Sequence, residues 1–135
     1  MKKNVIAVAA AQTYEMVIRH GIHAHPAVAP YPKPRDYIIP IRKGGKCEYI
    51  YKVVKTVDII PNQIESVLGE LEKRQADCLM NYYNERSNSY GFSRIGTPYR
   101  FYILKKMGSI EQPYYLNGIQ NCVSLCFDDI PVVNV

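Results

Sequence analysis

The sequence predicts an α+β fold, and three observations carry that prediction. Two runs rich in Tyr, Ile and Val, residues 35–42 and 47–60, flank the pair Gly44-Gly45. From about Pro61 to Glu85 apolar residues recur at three- and four-residue spacing, as in a helix that buries one face. After a polar, glycine-containing stretch, the strand pattern returns in Tyr99-Arg100-Phe101-Tyr102-Ile103-Leu104-Lys105. The 135 residues suit one domain, 1–135, which at this size needs neither disulfides nor metal to fold.

Asn4 to Ala11 is a short apolar run and reads as a buried first strand. Thr13 can cap a short helix that Gly21 stops, with Tyr14, Val17 and Ile18 on its core side. His20 to Pro34 reads as irregular. Pro26, Pro30, Pro32 and Pro34 each lack a backbone donor, so an extended, polyproline-like loop is expected. Gly44-Gly45 fits a tight hairpin turn, which needs positive φ at both central residues. In the run after the turn Ile50, Lys52, Val54 and Thr56 alternate with Tyr49, Tyr51, Val53, Lys55 and Val57. Apolar atoms on both faces mark a central or barrel strand.

One long helix follows, with Ile64, Val67, Leu68, Leu71, Cys78, Leu79 and Tyr82 on its apolar stripe and a break after Gln75 that either divides the helix or marks a wet turn. Residues 86–98 read as loop, and Tyr99 to Lys105 as a strand that Met107-Gly108 turns. Ile110 to Leu116 is expected to pair back at an edge, because Pro113 cannot donate to a ladder. Cys122 to Phe127 reads as the last strand.

Charge narrows the partners. The net charge is +5, and it is uneven: residues 1–55 carry +7 and residues 56–135 carry −2. A basic first half fits an anionic partner, nucleic acid before a membrane surface; a solvated, solubility-promoting face is the competing reading. No run approaches the ~20 apolar residues of a membrane-spanning helix, and the apolar run after Met1-Lys2-Lys3 is short for a secretory signal. The four cysteines form no CxxC pair. That argues against a zinc ribbon and for reduced thiols in the cytoplasm. Tyrosine is over-represented, with 12 against 3 Phe and no Trp. Its apolar ring and polar tip suit half-buried strands and base-stacking surfaces alike.

Two constellations could carry chemistry. Lys33, Arg35, Arg42 and Lys46 bracket the hairpin, with Tyr31, Tyr37 and Tyr51 among them. Cations there would neutralise phosphates, and rings would stack on bases. The second is His20, His23 and His25, whose imidazoles could hold zinc, with His23 or His25 also placed to contact a base edge. Structural or pocket-lining histidines are the plainer reading, and no metal or other cofactor is assigned. The chain has no Gly-x-Ser-x-Gly elbow, phosphate-binding glycine loop or HExxH, so no catalytic residue is assigned.

The order of parts resembles the PUA-like group of small β-barrels, the relatives of the PUA, ASCH, EVE and YTH domains. The likeness lies in a short apolar strand, a brief helix ending in Gly and a proline- and basic-rich loop. Arg35-Asp36-Tyr37-Ile38-Ile39-Pro40-Ile41 with its Gly-hairpin partner follows, then an inserted helix and Tyr99-Arg100-Phe101-Tyr102-Ile103-Leu104. The resemblance implies a small curled mixed or antiparallel barrel with helices at its ends. It also implies a cleft for RNA or for a flipped or modified base, with tyrosine in place of tryptophan. The expected function is a non-catalytic nucleic-acid-binding module for RNA or DNA. The alternative is a small protein-interaction or inhibitor module, such as a regulator encoded by a mobile element. A third reading is a metal-dependent enzyme on the histidine cluster.

Overall fold

Val5, Ile6, Ala7 and Val8 are all buried, so the first strand, β1 (Asn4–Ala9), is covered on both faces. A continuous apolar run demands this, and β1 lies inside the sheet. The computed structural model describes residues 4–28, 36–89, 91–94 and 96–133. After β1 come α1 (Tyr14–His20), β2 (Ile22–Pro26), β3 (Tyr37–Ile41), β4 (Tyr49–Ile59) and a 3-10 helix (Pro61–Glu70). Then follow α2 (Lys73–Ser89), β5 (Tyr99–Ile110), β6 (Cys122–Cys126) and β7 (Val132–Val133).

The strands form one seven-stranded mixed sheet in the order β2-β5-β4-β3-β1-β6, with β7 added to β5. β1 and β3 run parallel, joined through α1 and β2. The sheet does not close into the barrel expected from the resemblance: β2 and β6 are its two ends. It is curled nonetheless. Ile6 and Val8 of β1 share a core cluster with Tyr102 and Leu104 of β5, across two intervening strands. Register shifts at Ile50/Tyr51 and Val53/Lys55 bend β4 along the way. Outside the curl, α2 and the 3-10 helix set Leu79, Tyr82 and Ile64 against Phe101 and Ile103. Each large apolar side chain buried there contributes about 1.5–3 kcal/mol.

Four sequence expectations need correction. The long helix is two helices. Leu71 is extended, with φ −110° and ψ 155°, just after Gly69, a poor helix former. Gln75, read as a break, instead caps the new start: its Oε1 accepts from the Glu72 N–H at 3.1 Å. Residues 22–26, expected as loop, are strand β2, in register from Ile22 opposite Ile103 to Pro26 opposite Tyr99. A proline at the end of an edge strand forfeits no ladder bond.

The β3–β4 connection is not a two-residue turn. The ladder holds only Tyr37 to Lys52 and Ile38 to Tyr51, and residues 42–48 form a loop. Gly44 and Gly45 do take positive φ, 93° and 92°. The loop docks on the C-terminal segment, where the Leu116 N–H donates to the Gly45 carbonyl at 2.8 Å. Finally, β5 runs through Met107-Gly108 to Ile110, because Gly108 pairs opposite Ile50 and the chain stays extended. Residues 111–116 add only an isolated bridge, Lys46 to Tyr115.

Candidate functional site

Side chains alternate across a strand, so His23 and His25 of β2 leave the helix-covered face to Ile22 and Ala24 and turn to the other side. Both are buried, at 4% exposure each, with ring centroids 5.8 Å apart. They line a cleft of about 450 Å³ where the end of β1 approaches β2. Val8 to Ala11 and Asn121 form one wall, and Arg86, Arg94 and Tyr99 stand on the other elements around it. None of the described lining residues is acidic or a cysteine.

The tautomer of His25 follows from its contacts. Its Nδ1 lies 2.8 Å from the Pro26 carbonyl, which can only accept, so Nδ1 carries the proton. Nε2 therefore accepts from the Tyr102 hydroxyl at 2.7 Å. Arg100 hydrogen-bonds Tyr102 in turn and forks onto Asp58 through Nε at 2.9 Å and Nη2 at 3.1 Å. Burial pushes the His25 pKa down to about 4, with the Pro26 bond opposing and Arg100 adding to the fall. Burial likewise takes His23 well below the usual histidine range, helped by His25 and Arg86. Both rings are neutral at pH 7.

His23 differs in one respect. Its Nδ1 is the buried side-chain nitrogen without a hydrogen-bond partner among the described residues. Its ring lies nearly parallel to Tyr102, with centroids 6.1 Å apart. Arg86, on α2, is buried at 8% exposure. It donates to the Ala24 carbonyl at 3.0 Å, the Tyr82 hydroxyl at 2.9 Å and the Gly91 carbonyl at 3.1 Å. Its guanidinium lies 4.4 Å from the Phe92 ring centroid and 5.5 Å from that of Tyr99. Arg86 thus ties α2 to β2 and to the loop before β5, and holds that side of the cleft in shape.

The structure brings together only part of the set expected from sequence. His23 and His25 meet at the cleft. Tyr37 is buried, its ring 5.0 Å from Phe127, and Tyr51 is in the core beneath the curl. Neither can stack on a base, because their faces are already covered. Arg42 pairs with Glu48 at 3.0 Å and with Glu15 at 3.5 Å, and Lys46 lies 3.9 Å from Glu48. Those cations serve the loop before they serve a phosphate. Tyr31, Lys33 and Arg35 lie outside the described residues.

His20 does not join the other two. It ends α1 and meets Glu85 of α2 at 2.9 Å, beside the Arg19–Glu85 pair. Among the described residues no group of three His, Cys, Asp or Glu could hold a metal ion, so the three-histidine centre is not formed. Sequence reasoning passed over Arg86, Tyr99 and Tyr102. A signal for Arg86 existed: it stands three and four residues on from Tyr83 and Tyr82, in phase with the buried Leu79 and Tyr82.

What the cleft offers is a polar, uncharged floor, a cationic flank from Arg86 and Arg94, and Tyr99 at its side. The neutral floor suits a flat heteroaromatic group with in-plane donors and acceptors, while an anion would rest on the arginine flank and gain no charge from the imidazoles. No family model, curated protein or solved structure matches this chain. Among the described residues no helix is long and apolar enough to cross a membrane.

Proposed function

We propose that the protein is a non-catalytic nucleic-acid-binding module that admits one unpaired base to the cleft beside His23 and His25. The observation that carries this reading is the buried, neutral histidine pair at the mouth of a curled sheet, with the His23 Nδ1 unpartnered. An orphaned polar atom in such a place costs stability, and a ligand whose entry opens that atom to a hydrogen bond recovers the cost. The net charge of +5 supplies long-range attraction for a polyanion. The PUA-like kinship belongs to the same proposal. A curled, unclosed sheet with helices outside it is compatible with an opened member of that group, and the order of elements supports it.

Anisotropy of labelled single-stranded RNA, single-stranded DNA and duplex tests the reading. Single strands are expected to bind better than duplex, with affinity falling as salt rises. An oligonucleotide with abasic positions is expected to bind more weakly than its intact counterpart. Equal affinity for intact and abasic strands would remove the cleft from the account.

A second reading, a protein-interaction module, is favoured by one observation. Ile18 and Val54 are exposed at 36% and 50%, and both line a broad groove of about 600 Å³ that α1, α2, β4 and β5 share. Recovery of one defined protein from nuclease-treated lysate, lost on Val54→Asp, would favour it.

A further inference from the structure

Of the four cations expected to hold phosphates, Arg42 and Lys46 are engaged with carboxylates, and Lys33 and Arg35 lie outside the described residues. Three lysines elsewhere offer a separate basic surface. In the β4–β5 ladder Lys52 stands directly opposite Lys105, and Lys55 opposite Ile103. Residues opposite one another share a face, and Ile103 and Lys105, two apart on β5, share it too. Lys52, Lys55 and Lys105 therefore rise from one face of the two central strands, the side Ile103 shares with the helices and opposite to that of His23 and His25, and all three are exposed. Lys106 takes the other face, its ammonium 3.8 Å from the Tyr49 ring centroid.

Like charges directly opposite in a sheet destabilise it. Among the described residues no ion pair relieves them. The ion pairs among the described residues engage Arg19, His20, Arg42, Lys46 and Arg100, and none of these three lysines. Lys55 donates to the Glu70 carbonyl at 3.1 Å, a contact that leaves its charge in place. Arg74, in the first turn of α2, lines the same groove as Lys105; Glu72 lines it as well.

We propose that Lys52, Lys55 and Lys105 form a phosphate-binding strip for the backbone of a single-stranded nucleic acid. The proposal rests on the nucleic-acid reading above and gives it a second surface. Lysine favours this partner over an acidic protein: it is depleted at protein–protein interfaces, whereas its compact ammonium is a common phosphate contact. A phosphodiester chain along the strip would also offset the Lys52–Lys105 repulsion.

The test is binding of a labelled oligothymidylate over roughly 50 to 200 mM salt. It compares the unaltered protein, the triple variant Lys52→Gln/Lys55→Gln/Lys105→Gln, and His23→Phe. The triple variant is expected to bind at least about tenfold more weakly at the lowest salt and to shallow the log–log salt slope by about 2, three contacts at ~0.7 each. It should still distinguish intact from abasic strands. His23→Phe should do the opposite, keeping the slope and losing the distinction. The triple variant should also melt no lower than the unaltered protein at low salt, since it removes a repulsion; this is the check that it folds.

If the unaltered protein binds and the triple variant keeps its slope, the strip is wrong and the base-binding reading stands. If the unaltered protein binds no oligonucleotide at any salt, both fail. If a polyglutamate peptide competes with the oligonucleotide at equal charge and loses binding in the triple variant, the strip serves an acidic protein and the phosphate assignment is overturned.

Discussion

His23 is a buried polar ring that the fold itself does not use. Its Nδ1 has lost water and gained no partner among the described residues, a debit of about 1–3 kcal/mol. Replacement by an apolar ring of similar shape removes the debit and keeps the packing against Tyr102. We therefore expect His23→Phe to be as stable as the parent or more stable, by up to about 1 kcal/mol in urea unfolding, while it loses its preference for intact over abasic strands. A loss of more than about 2 kcal/mol would mean that the ring has a structural duty. His25 should behave in the opposite way. It holds Tyr102 and the Pro26 carbonyl, so His25→Phe leaves a buried hydroxyl without its acceptor. The two histidines were visible in the sequence as a pair two residues apart. Their common face was not, because four nearby prolines argued against a strand there. Arg86 was hidden for a different reason: an arginine in a helix reads as surface until its carbonyl acceptors are known.

At the scale of elements, local pattern located most of the pieces and tertiary contacts decided their ends. The alternation of β4 foretold a central strand, and Gly21 ends α1 in the left-handed conformation, φ 65°, as its position suggested. Gly44 and Gly45 were read as a free-standing turn. They are instead the part of a seven-residue loop that touches the C-terminal segment, a contact no local signal reports. The two glycines separate cleanly in consequence. A Cβ on Gly44 would meet nothing within 4 Å and bear only the cost of its φ, whereas one on Gly45 would stand 2.4 Å from Asn117 Oδ1 and 2.9 Å from the Leu116 carbonyl. Gly44→Ala is expected to cost about 1 kcal/mol, and Gly45→Ala at least about 1 kcal/mol more, measured by thermal or urea unfolding. Equal losses would show that the segment around Leu116 yields easily to the loop. The helix was split for a reason equally remote from periodicity. Its apolar stripe is in phase on both sides of Leu71, so the hydrophobic pattern suggested a break only after Gln75, a few residues beyond the one that falls at Leu71, after Gly69 and before the Gln75 cap.

For the molecule as a whole, the α+β class was legible, and neither the mixed character of the sheet nor its failure to close was. Closure depends on whether the end strands meet, and here β2 and β6 stop short of pairing. The gap has a thermodynamic consequence, because the polar groups near it are enclosed but uncharged. His25 takes a proton only at about pH 4 in the folded chain, against 6.5 for an ordinary imidazole. Between those values the unfolded chain binds the proton and the folded chain does not, so stability is complete above about pH 6.5 and falls as acid is added. His23, held well below the usual histidine range by burial, acts in the same direction. His25 withdraws on the order of 2–3 kcal/mol by pH 4. Glu85, whose pKa is lowered by its bonds to Arg19 and His20, adds its own loss only below the ordinary carboxylate range, so the two windows are distinct. Urea unfolding at pH 7, 5.5 and 4.5 should show the midpoint dropping at each step, and His23→Phe should flatten the profile. A midpoint unchanged down to pH 4.5 would mean that both rings take protons as readily in the folded protein as outside it, and the uncharged cleft floor that suits a base would not exist.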